Sequence, residues 1–598
     1  MDNRELFRES HSGAFDAEEQ IVKDEGGNDT TPRRKNEPAF LPTYFTGSFE
    51  NMNRMRRDEK LCDITIVVGS TRIPAHRIVL ASASAYFEAM FTAGMVESRE
   101  NTIELHDIDA TSVESIIDFI YTSQIEISED NVQTLLPAST IIQVEPVKEA
   151  CCKFLSAQLS PCNCLGILVF ADMHGCVDLL SIAKSYALVN FVEISRTEEF
   201  LHITPKRLIE LISDDNLYSH DESQVYLAVM SWIRFDLANR QQNLTDLLTL
   251  VKLPLLSRDF LMFSVEPDEL VRSNPNCKDL IIDAMKYHLL PEMRPYLHNS
   301  RVKPRKNAGM SPLILSIGGG SLFAIHCECE CFDAAKNKWF MIAPMSSRRA
   351  RLGVGSAFGM VYAVGGFDGS QDLASVEMYN PKSNKWVSSA PMGTRRSSLG
   401  VDVLHNLLYA VGGYDGASCL CSVERFDPLL QQWTSVAPMA FRRRYVAVRV
   451  VGEYLIASGG YDGNSHLSSV ELYDPITNVW TLKSPMRNQR SNASSAVLNG
   501  YFYVIGGSDG SSCLDTVERY DIQEDIWIHM TSMINIRSSH AAVAMDNYIY
   551  VIGGNDGSSS LKSVEKFDSN ENTWTRMLPM STRRSNLGGV VAWVLPRV

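Results

Sequence analysis

From residue 311 onward, short apolar runs alternate with glycine-rich or Asp-Gly turns, and no 3.6-residue periodicity is present. One stretch shows the pattern. Leu399 to Leu404, Leu407 to Val411, Ser422 to Phe426 and Gln432 to Val436 read as four strands, separated by turns such as Tyr414-Asp415-Gly416. Residues 161–298 are patterned differently. Val225, Val229, Trp232 and Ile233 fall at i, i+4, i+7 and i+8, one face of an amphipathic helix, which places Trp232 in a core. Closer to the N-terminus, Phe45 to Arg57 predicts a helix and Cys62 to Val68 an apolar strand. The stretch from Ile73 to Phe87 opens a helix near Ala75, giving a mixed α/β domain. Residues 1–42 are polar, with charges of both signs, and predict a disordered tail.

The back half is a repeat. Double glycines at Gly318, Gly365, Gly412, Gly459, Gly506 and Gly553 recur every 47 residues. Trp339, Trp386, Trp433, Trp480, Trp527 and Trp574 keep the same period, as do six acidic residues: Glu330, Glu377, Glu424, Glu471, Glu518 and Glu565. Four strands per unit at this spacing predict β-propeller blades, six of them. The first unit lacks its opening strand, because Arg305 to Met310 is polar and basic; Leu587 to Val594 falls in phase with the gap. The C-terminal strand is therefore expected to complete the first blade and close the ring.

In such a blade the second-to-third turn and the fourth-to-first connection share one face. The period places Arg349, Arg396, Arg443, Arg490, Arg537 and Arg584 there, and Arg348, Arg395, Arg442 and Arg583 precede four of them. A column identical in every unit fits a structural role, each guanidinium pairing with a periodic glutamate between blades. Two positions on, the residues vary: Arg351, Ser398, Tyr445, Asn492, Ser539 and Asn586. Neighbouring turns add Phe367, Tyr414 and Tyr461. These, with Arg442 and Arg443, form the expected substrate-binding surface, basic and aromatic-edged, for an acidic or phosphorylated peptide.

Charge and cysteine content narrow the classes further. The net charge is −15, yet residues 311–598 hold 25 basic and 25 acidic residues, so the front half carries the whole excess. An acidic front half argues against nucleic acid as a partner. No run of about 18 apolar residues is present and the N-terminus has no apolar signal core, so neither a membrane partner nor export is expected. Thirteen cysteines without an export signal read as reduced thiols of a cytoplasmic protein. Cys327, Cys329 and Cys331 are spaced for one face of a strand rather than for a metal, and no metal or cofactor is expected. Asp63 and His76 lack a third catalytic group and read as a buried polar pair. The propeller histidines share no column, and no Asp-Gly turn is followed by tryptophan at the spacing of sialidase boxes, so an enzyme is not expected.

The double glycine, Val-Glu, Trp and Pro-Met order of residues 311–598 resembles the Kelch repeat. Leu61-Cys62-Asp63, Ala75-His76-Arg77, Val79-Leu80-Ala81 and Tyr86-Phe87 resemble the BTB domain, assigned to residues 43–160. Within it, Leu135-Leu136-Pro137-Ala138 predicts a helix restarting at the proline. Asn163-Cys164-Leu165-Gly166, Phe170-Ala171-Asp172 and Leu253-Pro254-Leu255-Leu256 resemble the BACK domain, assigned to 161–298, with residues 299–310 as a linker. The order resembles a Kelch-like protein. The resemblance implies a homodimer through the BTB domain, which docks cullin-3 by a hydrophobic-x-Glu element, here Met95 and Glu97. It also implies a propeller that selects proteins for ubiquitylation, with no catalysis on this chain. The second reading it implies is an actin-binding scaffold, associated with the cytoskeleton.

Overall fold

The computed structural model describes residues 42–594, apart from 94–98, 220, 292–293, 295, 297–299, 307–309 and 322–323. The predicted tail and the cullin-binding residues Met95 and Glu97 lie outside the described residues. The chain divides into two compact units, Met1–Lys148 and Glu149–Val598.

The first unit is α/β. Helix α1 (Pro42–Arg57) precedes strands β1 (Ile64–Val68) and β2 (Thr71–Ala75), then α2 (Arg77–Ala83), α3 (Ala85–Thr92), β3 (Thr102–Leu105), α4 (Ala110–Thr122) and α5 (Val132–Ile142). The sheet order is β2-β1-β3, with β1 antiparallel to β2 and parallel to β3. Alternation of buried Ile64, Ile66 and Val68 with half-buried neighbours gives β1 one face on the helices. Helix α5 overturns one expectation. It runs unbroken through Pro137 instead of restarting there. The ring removes one helical hydrogen bond, but Leu135, Leu136, Ala138, Ser139 and Ile142 are all buried and their packing holds the helix together.

The second unit begins with helices. Glu222–Phe235 lies at their centre, with Trp232 fully buried and its indole N–H donating to the Ile203 carbonyl at 3.1 Å. The basic stretch before the propeller is docked rather than free. Arg305 is buried against Glu222 (2.8 Å) and donates to the carbonyls of Ile212, Asp214 and Leu250.

Among the described residues, six four-stranded antiparallel sheets follow. In the first, Gly588–Val594 pairs with Ser311–Ile317 over seven residues, so the C-terminal strand is its innermost member, as expected. The innermost strands of successive blades are neighbours, and that of the sixth, Ala541–Met545, packs beside Gly588–Val594, completing the circle. The predicted strands of the third blade are observed to within a residue: Gly400–Leu404, Leu407–Val411, Val423–Asp427 and Gln432–Val436. Double glycines are required by crowding. Gly412 has φ +60°, and a Cβ there would sit 2.5 Å from the Arg443 carbonyl oxygen. Cys329 and Cys331 pack in an apolar cluster, and burial pushes the Cys329 thiol up to about 12.

The helical domain docks under blades 2 and 3, on the face opposite the second-to-third turns. Arg294, fully buried, pairs with Asp427 at 2.6 Å; Asn406 reaches the Tyr287 hydroxyl; Lys382 donates to the Ser219 carbonyl. Asn406 lies in a first-to-second turn, and Lys382 and Asp427 lie at third-to-fourth turns. Within the second unit, the other face of the propeller, away from these anchors, is open among the described residues.

Candidate protein-binding face

Six arginines form the frame beneath this face. Arg443 donates through Nε and Nη2 to Glu471 of the next blade, at 3.1 and 2.9 Å, and through Nη1 to the Gly459 and Ser469 carbonyls. The same pairing recurs in Arg349–Glu377, Arg396–Glu424, Arg490–Glu518 and Arg537–Glu565. Arg584–Glu330 repeats it across the join between chain ends, at 3.0 Å. Burial lowers the pKa of Arg443, and Glu471 opposes that shift. For Glu377, burial disfavours the carboxylate, but donors from Ser347, Ser346 and Arg349 outweigh it and hold it below the usual range. Arg443 is therefore removed from the binding surface on which it was expected: it is completely buried and its charge is spent between blades.

The variable column forms a ring. The Ser398 N–H donates to the Arg351 carbonyl, Tyr445 to Ser398, Asn492 to Tyr445, Ser539 to Asn492, Asn586 to Ser539 and Arg351 to Asn586. All six residues have φ between +53° and +57°. This annulus surrounds the mouth of the central channel, a polar cavity of about 100 Å³. Arg351 is exposed, whereas Ser398 is nearly buried at 6% and offers little side chain to a ligand. Outside the ring, each second-to-third turn bridges to the preceding connection, as in Ala350–Phe367, Ser397–Tyr414 and Arg444–Tyr461. Phe367, Tyr414, Tyr461 and the ring residues thus share the face, and Arg442 stands exposed beside them.

One residue here has no counterpart among those expected. The position after each column arginine reads Ala350, Ser397, Ser491, Ser538 and Ser585 in five blades but Arg444 in the sixth case. Its guanidinium lies over three rings, Tyr461 at 4.8 Å, Tyr414 at 5.4 Å and Tyr445 at 5.5 Å. The break in the repeat was the signal that finds it.

In the first unit, Asp63 and His76 are not a buried pair. Asp63 is exposed and accepts from the Arg77 N–H at 2.8 Å, and His76 Nδ1 contacts the Tyr121 hydroxyl at 2.8 Å. Asp63, just before β1, and His76, between β2 and α2, are thus used separately. On the helical domain, Leu165, Leu168, Val169, Leu180, Ile203 and Leu211 line an apolar groove of about 210 Å³, rimmed by Lys184, Arg207 and Glu210.

Three domain families match the chain. Residues 52–159 match the BTB/POZ domain and residues 164–266 the domain described as BTB And C-terminal Kelch. The Kelch motif matches residues 348–393, 395–440, 442–487, 489–534 and 536–581, the five blades built from continuous sequence. Over 311 residues the chain is 50% identical to Kelch-like protein 17 of Mus musculus, which covers 52% of this chain and 49% of that protein. Over 330 residues it is 44% identical to Kelch-like protein 3 of Bos taurus, covering 55% and 56% respectively. The chain spans about half the length of the curated relatives it matches.

Proposed function

The chain belongs to the BTB-BACK-Kelch family, and from that premise we propose that it is a substrate-recognition adaptor of a cullin-3 RING ubiquitin ligase. The BTB unit pairs with a second copy and holds the cullin through Met95 and Glu97, an apolar anchor beside a carboxylate. The open face of the propeller holds the protein to be ubiquitylated, an acidic or phosphorylated segment. Ubiquitin transfer then rests on proximity at two linked sites, and this chain supplies binding rather than bond-making.

The observation that carries this reading is the composition of the open face. Arginines in no ion pair among the described residues, and tyrosine rings, gather there beside the turn aspartates, on a domain whose charges balance as a whole, while the column arginines are paired below. Arg351 stacks on Phe367 at 5.6 Å with no carboxylate in ion-pair reach among the described residues. Reconstituted ubiquitin transfer tests the reading. Charge reversal at Glu97 should abolish transfer while leaving the captured protein bound, and the double variant R351E/R442E should abolish capture. Transfer that survives E97R points to the actin-linked scaffold instead, and capture that survives R351E/R442E removes the face from the account.

A further inference from the structure

The open face is divided into unlike halves. Over blades 2 to 4 it carries Phe367, Tyr414, Tyr461 and Tyr445 among Arg351 and Arg444. Over the remaining blades the equivalent turn and ring positions are Ser508, Asn555, Asn492, Ser539 and Asn586, all neutral. The exposed arginines preceding the column are also unevenly spread. Around the closed ring Arg583, Arg348, Arg395 and Arg442 lie on four consecutive connections, ending beside Arg444, and Gln489 and Ile536 take the remaining two places.

Arg444 is the focus of the charged half. Every column arginine faces a glutamate, but Arg444 has no carboxylate within ion-pair distance among the described residues, and its buried Nε has no hydrogen-bond partner there. The rings around it are fixed. The Tyr414 hydroxyl donates to the Gly416 carbonyl and the Tyr461 hydroxyl to the Gly463 carbonyl, both at 3.0 Å, tying each ring to its own turn. Ring faces attract the guanidinium and hold it in place, but they carry no net charge to neutralise it. A half-buried cation pre-positioned in this way, with donor capacity unused, is suited to one anionic group.

We propose that Arg444 receives a single anionic side chain, carboxylate or phosphate, of an extended peptide whose uncharged remainder lies over the serine and asparagine half. The inference rests on the adaptor reading and adds the substrate's polarity: the anionic end sits over blades 3 and 4, and the neutral end crosses the channel mouth. The repeat itself supplies the variant that tests it. Serine stands at this position in four other blades, so R444S keeps a residue the scaffold already accepts.

Two nine-residue probes of alternating glycine and serine serve, one with a central glutamate and one with a central phosphoserine, titrated by fluorescence anisotropy against the full chain. R444S should weaken the better-bound probe at least tenfold, and R583S, on the far side of the face, less than twofold. The tighter of the two probes identifies the group. Equal losses in R444S and R583S would overturn the division of the face, and an unchanged affinity in R444S would overturn the site. If R351E/R442E abolishes protein capture while R444S leaves probe affinity intact, the adaptor reading stands and this inference alone fails.

Discussion

Replacing Glu330 by glutamine tests what holds the ring shut. The Glu330 carboxylate accepts from Arg584 Nε (3.1 Å) and Nη2 (3.0 Å), the Thr582 hydroxyl (3.0 Å) and the Ser581 N–H (2.9 Å), with both charged side chains 1% exposed. Glutamine keeps the volume but brings an NH₂ against one of these donors and leaves the guanidinium buried without its counter-charge. Breaking a buried pair from one side costs about 3–5 kcal/mol. At roughly 2.1 cal/mol/K per residue, unfolding a propeller of about 280 residues has an entropy near 0.6 kcal/mol/K at its midpoint. The E330Q propeller should therefore melt about 5–8 °C lower in calorimetry of the full chain. The surface control E571Q should shift it by less than about 1 °C. Because this pair joins residues 254 apart while its equivalents join residues 28 apart, hydrogen exchange should also rise along Gly588–Val594 and Ser311–Ile317 before other blades open. A midpoint lowered by less than 2 °C, or exchange rising evenly around all blades, would refute the reasoning.

Three further outcomes are expected. Stability should fall on acidification for two reasons of the same sign. Buried His540, held down to about 3, is neutral when folded, so its contribution is full above its unfolded value near 6.5 and declines as pH drops below it. Glu330 and Glu377, held below the usual carboxylate range, add a second decline below about pH 4.5. H540L should therefore remove a slope of up to about 1.4 kcal/mol per pH unit between pH 6 and 5 in urea midpoints, and an unchanged slope would count against it. R294A removes the buried partner of Asp427 and should broaden spin-label distances between the helical domain and blade 3 in the full chain. P137A restores a backbone donor within α5 and should raise the first unit's resistance to urea by about 1–3 kcal/mol.

The architecture was readable because the repeat over-determines it. A 47-residue period fixes strand count and blade number, and the misplaced strand at Leu587 to Val594 could only belong to the first blade. The pairing of column arginines with column glutamates was likewise implied by two invariant, oppositely charged columns. Side-chain depth was less accessible. Arg442 and Arg443 are adjacent in sequence, yet one is exposed and the other completely buried, because the chain turns inward between them to reach Glu471. Pro137 stayed within its helix because long-range packing outweighs one lost hydrogen bond, and the stretch around Arg305 is docked because Glu222 needs a cation 83 residues away. Arg444 stood in plain view as an exception to a column of small residues; its meaning depends on Tyr414 and Tyr461, from the turns of two blades, which only folding brings beside it and its neighbour Tyr445.

The annulus at the channel mouth separates identity from architecture. Since its main-chain amides and carbonyls are already satisfied by one another, the fold asks of those six positions only a left-handed backbone, not any particular functional group. Tyrosine, serine, asparagine and arginine already coexist there at near-identical torsions. The six positions therefore behave as interchangeable teeth on a fixed collar, and retuning what the wheel grips requires exchanging teeth without recasting the wheel.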